Sequence, residues 1–225
     1  MTSALVYSFG TDTQVVVTRR RLLPAMIMLM SLGMASEAFA QHPTRSTYQL
    51  GQIEFGKMLL PTDLPSSVFV YYEDVNNDTY TDIVITGFTP IDQPAQGARP
   101  GNILLNNGDN TFKAATGDRP QSEWVREVLV ADFNNDGISD LFMADHGWDA
   151  MPFPGFQNQL MLGTGTGFRD ATHLLPPLSD FSHNAATGDV NGDGLTDILV
   201  VNNPLGDANK VSYLLINRGA AGFEL

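Results

Sequence analysis

Asp132-Phe133-Asn134-Asn135-Asp136-Gly137-Ile138-Ser139-Asp140 decides the fold, because the chain carries it three times. Asp74-Val75-Asn76-Asn77-Asp78-Thr79-Tyr80-Thr81-Asp82 precedes it and Asp189-Val190-Asn191-Gly192-Asp193-Gly194-Leu195-Thr196-Asp197 follows, the copies starting 58 and 57 residues apart. A second marker keeps the same period: Phe55, Phe112, Phe168 and Phe223 are separated by 57, 56 and 55 residues. The last three follow the turn-rich segments 106–111, 163–167 and 217–222. Two markers in phase identify an internal repeat.

The odd positions of the nine-residue stretch carry its chemistry. Positions 1, 3, 5 and 9 bear side-chain oxygens, position 7 is bulky with its backbone carbonyl available, and position 6 suits a tight turn. An oxygen cage of this kind fits a hard cation. Three carboxylates crowded together beside an amide raise one another's pKa unless a counter-charge is present. Ca²⁺ fits better than Mg²⁺, which demands octahedral geometry and keeps several waters. With no cysteine in the chain and no histidine in the loops, zinc and copper find few ligands. The first copy has the weakest pattern, since Thr79 stands where glycine would relieve a positive φ.

An EF-hand starts with the same spacing but needs a glutamate at position 12 and helices on both sides. Position 12 here is Ile85, Met143 or Val200, and the flanks are short β-rich runs: 68–72 and 125–131 before the loop, 82–86, 141–144 and 198–201 after it. Each loop therefore joins two strands.

Working outward, the first forty residues read as an export leader. Arg19, Arg20 and Arg21 precede an apolar run over 22–35 and the small-residue site Ala38-Phe39-Ala40. Fourteen residues fall short of the about 20 that span a bilayer. The arginines also resemble a twin-arginine signal, so the route is Sec or twin-arginine. The residues ahead of them suggest no element, as if the start codon were assigned too far upstream. Cleavage after Ala40 removes three arginines and two acids, leaving 9 basic and 23 acidic residues, a charge of −14. Nine of those acids lie in the three loops. Such a balance repels nucleic acid and anionic membranes and favours cations. No membrane span is expected after cleavage, and an exported location follows: periplasmic, extracellular or cell-surface.

With 43% apolar residues the chain is expected to fold, and without cysteine no disulfide holds it. The loop between apolar strands, followed by Asn102-Ile103-Leu104-Leu105-Asn106-Asn107-Gly108-Asp109-Asn110-Thr111-Phe112 and its counterparts at 159–168 and 212–223, resembles the FG-GAP/VCBS-type repeat of integrin α-chain-like β-propellers. The resemblance covers about 55–225 and implies an all-β fold of four-stranded propeller blades, the cation loop linking the first two strands of each. It implies Ca²⁺ at up to three sites, with side-chain ligands Asp74, Asn76, Asp78 and Asp82; Asp132, Asn134, Asp136 and Asp140; Asp189, Asn191, Asp193 and Asp197. Carbonyls of Tyr80, Ile138 and Leu195 complete the cages. The expected organisation is a leader over 1–40 and a repeat domain over 41–225, with blades near 55–112, 113–168 and 169–225. In the second blade strands are expected at 125–131, 140–145, 159–163 and 168–172.

Three periods fall short of the ~4–8 blades that close a propeller. An incomplete ring is expected, with the last strand of an earlier blade at 52–60. Either a longer protein supplies the remaining blades, or a short form associates to cover its open faces.

The expected role is a calcium-stabilised module for recognition or adhesion, with an extracellular protein or glycan as partner. The rival is the propeller part, catalytic or not, of a polysaccharide-acting enzyme. Catalytic candidates are few: Asp145, His146 and Asp149, beside Trp148, form an acid–base or sugar-stacking group only if the fold makes them converge. As structure, the same residues make a hydrogen-bonded loop. Neither a Gly-x-Ser-x-Gly elbow nor a complete phosphate-cradling Gly-x-x-x-x-Gly-Lys-Ser/Thr loop is present, the one Gly-x-x-x-x-Gly-Lys stretch, at 51–57, being followed by Met58.

Overall fold

The computed structural model describes residues 4–9, 13–18, 67–95, 97–109, 111–204 and 211–225. The charged and apolar parts of the expected leader lie outside these residues, as do Phe55 and the strand expected at 52–60. In a stretch for which the sequence suggests no element, β1 (Ala4–Phe9) and β2 (Thr13–Thr18) pair antiparallel, with Ala4 opposite Thr18. Val15-Val16-Val17 suits a strand, as β-branched runs do.

Each repeat is a four-stranded antiparallel sheet. The first blade consists of β3 (Ser67–Glu73), β4 (Asp82–Gly87), β6 (Asn102–Asn106) and β7 (Phe112–Ala114), and the β1–β2 pair extends it through parallel pairing of β2 with β3. The connector to the next blade carries two two-residue strands, β8 (Thr116–Gly117) and β9 (Gln121–Ser122), the latter pairing with β5 (Arg99–Pro100), a short strand between β4 and β6 of the first blade. The second blade is β10 (Val125–Ala131), β11 (Asp140–Asp145), β13 (Gln159–Gly163) and β14 (Gly167–Asp170). Its first three strands lie where the sequence places them. The fourth starts one residue early and ends at Asp170, whose Oδ1 accepts both the Thr172 N–H and its hydroxyl and turns the chain out of the sheet. Two short strands, β12 (Phe156–Gln157) and β15 (Ser179–Asp180), pair across the loops at the same end of this blade. The third blade is β16 (Ser182–Gly188), β17 (Asp197–Asn202), β18 (Tyr213–Asn217) and β19 (Phe223–Glu224).

The fold is all-β. Three blades form among the described residues, in keeping with an incomplete propeller rather than a closed ring.

The apolar faces explain the stacking. Phe69, Tyr71, Val84, Ile103 and Leu105 of the first blade bury against Val128, Leu141, Met143 and Met161 of the second. The opposite face of the second blade, with Leu129, Phe142, Leu160 and Leu162, packs on Ala185, Ile198, Val200 and Leu215 of the third. Covered on both sides, β11 is buried throughout, so between its terminal aspartates residues 141–144 form a continuous apolar run rather than an alternation. In the third blade β17 does alternate: Ile198 and Val200 are buried while Leu199 and Val201 are exposed. Backbone also ties neighbours together, as β8 pairs in parallel with β14, Gly167 opposite Thr116.

Candidate functional site

The three acidic loops join the first and second strands of their blades, closing between paired residues Glu73 and Asp82, Ala131 and Asp140, Gly188 and Asp197. Repetition of the blade sets them at one end of the molecule. Val75 and Asn76 share a small cleft with Ile138 and Ser139, and Asn217 Nδ2, beside the third loop, donates to the Phe133 carbonyl of the second at 2.7 Å.

Each loop folds by one recurring scheme. The position-1 carboxylate takes the N–H groups of positions 5 and 6: Asp74 from Asp78 and Thr79 at 3.1 and 2.9 Å, Asp132 from Asp136 and Gly137 at 3.1 and 2.8 Å, Asp189 from Asp193 and Gly194 at 3.1 and 2.9 Å. The position-3 amide oxygen also accepts the position-5 N–H, and its nitrogen donates to the position-5 carboxylate at 2.8–2.9 Å. Position 5 in turn accepts the N–H of Tyr80, Ile138 or Leu195. Positions 4 and 6 are left-handed in all three: Asn77, Asn135 and Gly192 at φ of 59°, 61° and 78°, then Thr79, Gly137 and Gly194 at 75°, 83° and 84°.

Position 9 behaves differently from the other acids. Asp82, Asp140 and Asp197 are fully buried, and both carboxylate oxygens accept backbone N–H groups. One comes from position 2 of the loop, the other from the third strand of the blade: Asn106, Gly163 and Asn217, each at 2.8 Å. Burial pushes the Asp140 carboxyl up to about 6, against the opposing pull of those hydrogen bonds, and raises Asp82 for the same reason. The exposed Asp189 carboxyl is lowered, chiefly by the Gly194 N–H. Sequence reasoning missed this stapling role; its signal was a third in-phase marker, the third-strand residue 24, 23 or 20 positions after the acid.

Among the described residues, three or more acidic or histidine side chains nowhere gather into a group that could hold a metal ion. The donor chemistry nevertheless suits a hard cation, since every proposed ligand atom is oxygen and an oxygen that accepts one N–H retains a second lone pair. Ligation by Asn76, Asn134 or Asn191 would exchange its amide bond to the neighbouring carboxylate for a bond to the ion.

The other candidates occupy the opposite end of the second blade. Asp145 is buried, taking the N–H groups of Glu123 and Trp124 at 2.7 Å and of Gly147 at 2.8 Å, while its own N–H goes to Asn158 Oδ1. Burial pushes it up to about 6. His146 is wholly buried, its Nδ1 on the Gly147 carbonyl and its ring stacked between Trp124 and Phe181. Burial, reinforced by the Arg126 charge, lowers it to about 2, so the imidazole is neutral. Its Nε2 lies 3.9 Å from Asp149, which pairs with Arg126 at 2.7 Å. Trp148 donates its indole N–H to Pro90 at 3.4 Å. The arrangement brings His146 and Asp149 near each other and turns Asp145 into a staple for the loop.

A family model described as FG-GAP-like repeat matches residues 74–143 and 135–200, together more than half of the chain. No curated protein matches it.

Proposed function

Because this chain belongs to the FG-GAP-like repeat family, we propose that it is an exported, calcium-stabilised repeat module that recognises an extracellular protein or glycan. Repeats of this type serve adhesion and recognition and are typical of extracellular and cell-surface proteins. The basic and apolar pattern over 19–40 supports export, and among the described residues no helix is long and apolar enough to cross a membrane.

The observation that carries the calcium reading is the threefold recurrence of one all-oxygen donor set in loops of one backbone conformation. Positions 1, 3, 5 and 9 would offer side chains and position 7 its carbonyl, so that Asp132, Asn134, Asp136, Asp140 and Ile138 would hold the second ion. The cation would supply positive charge to loops where three carboxylates otherwise repel, and three such ions would bring the net charge of residues 41–225 from −14 to −8. Binding only the folded form at a hundredfold excess over Kd would stabilise it by about 2.7 kcal/mol per site. A thermal melt with and without EGTA, beside elemental analysis, tests this. The melting temperature should fall on chelation, and an unchanged melt with no bound calcium would refute the reading.

A further inference from the structure

At the end of the second blade opposite the acidic loops, Gln121, Phe156, Gln157, Gln159, Asp170 and Thr172 line a cavity of about 160 Å³. It is several times the ~30 Å³ share of one water and below the ~300–1,000 Å³ of pockets that enclose drug-sized ligands. One sugar ring is the right scale for it, and a nucleotide is not.

The polar groups around it are already oriented by the fold. Gln159 is 5% exposed, and its Oε1 accepts the Gln121 N–H at 3.0 Å, leaving the amide nitrogen as a donor with no partner among the described residues. Gln157 is turned the other way: its Nε2 donates to the Pro176 carbonyl at 3.0 Å, so its Oε1 remains an acceptor. Asp170 spends Oδ1 on Thr172, and its Oδ2 has no partner among the described residues. A donor, an acceptor and a carboxylate around one small space, with the half-buried Phe156 ring as the apolar wall, match the alternating hydroxyls and C–H face of a pyranose. Asp170 and the −13 charge of the chain disfavour uronate or sulfated sugars.

We propose that this cavity is a subsite for one neutral hexopyranose unit of a glycan. The proposal rests on the recognition reading above and specifies where and what the module binds. Nothing in the sequence marks Phe156, Gln157 and Gln159 as parts of one site, because a groove built from β9, β12, β13 and the end of β14 has no linear signature.

Saturation-transfer NMR and calorimetry on the full chain, with the methyl glycosides of mannose, galactose and glucose at millimolar concentration and methyl glucuronide as the anionic control, provide the test. At least one neutral glycoside should bind saturably and the glucuronide should not. Gln159→Ala and Asp170→Asn should each weaken binding by roughly tenfold, the equivalent of one good hydrogen bond. Asp170 is exposed, so its variant reports even if Gln159→Ala unfolds through loss of the Gln121 bond. No binding of any neutral glycoside, or binding that both variants leave unchanged, overturns the subsite. If the protein still adheres to a cell or protein surface that these glycosides do not compete for, the subsite falls and the recognition reading stands.

Discussion

Thr79 holds a left-handed backbone at φ 75°, where its counterparts Gly137 and Gly194 are free of a Cβ. A β-branched residue there costs about 1–2 kcal/mol. Thr79→Gly should therefore raise stability by about 1 kcal/mol in denaturant melts, and an unchanged or lower midpoint would show that the loop is not strained. His146 makes a second argument at this scale. Because burial lowers its pKa from 6.5 to about 2, the unfolded chain takes up the proton first. Its contribution is complete above pH 6.5 and is lost as the pH falls, by about 1.4 kcal/mol per pH unit. Asp145, raised from 3.8 to about 6, acts in the opposite sense, its contribution being lost as the pH rises through that window. Comparing wild type with His146→Phe at pH 7 and pH 5 isolates the histidine. The variant should lose about 2 kcal/mol less on acidification, and an equal loss would place the proton uptake elsewhere. The strain at Thr79 was legible in the sequence, since its repeat partners are glycines; the burial of His146 was not, because it depends on Trp124 and Phe181 arriving from other strands.

At the scale of the element, the ninth-position aspartate links a loop to a strand more than twenty residues away in two blades and exactly twenty in the third. Asp140→Asn would turn an amide NH₂ toward a backbone N–H and leave one donor unsatisfied, at a cost of about 1–3 kcal/mol. The loss should persist in EGTA; a loss that vanishes on chelation would make Asp140 a cation ligand alone. Close backbone approach explains a glycine in the same blade. A Cβ on Gly167 would meet the Thr116 carbonyl oxygen at 1.9 Å, where β8 pairs with β14. Gly167→Ala should destabilise by about 1–3 kcal/mol, and a neutral melt would show the connector to be easily displaced. Strand positions in the second blade were readable to within two residues, because the acidic loop marks the first hairpin and the glycine-rich turn the second. The pairing of β8, β12 and β15 was not, since two-residue strands carry no periodicity.

Across the whole molecule, stacking gives the apolar residues of one strand different energetic weights. Ile198 is buried against the second blade, whereas Leu199 on the other face is 44% exposed. Ile198→Ala should cost about 2–5 kcal/mol and Leu199→Ala under about 0.5. Equal effects would mean that the outer face of the third blade is covered as well. The sequence by itself determined the repeat, its period, the strand–loop–strand unit and the all-oxygen character of the loops, because these are local properties that recur with the chain. Only the tertiary structure decided that the ninth-position acids are buried staples, that Asp145 and His146 belong to the packed interior, and that Gln157, Gln159 and Asp170 surround one cavity. Each of those facts depends on which distant backbone groups fill a side chain's hydrogen-bonding capacity, and that is settled only when strands far apart in the chain are brought into register.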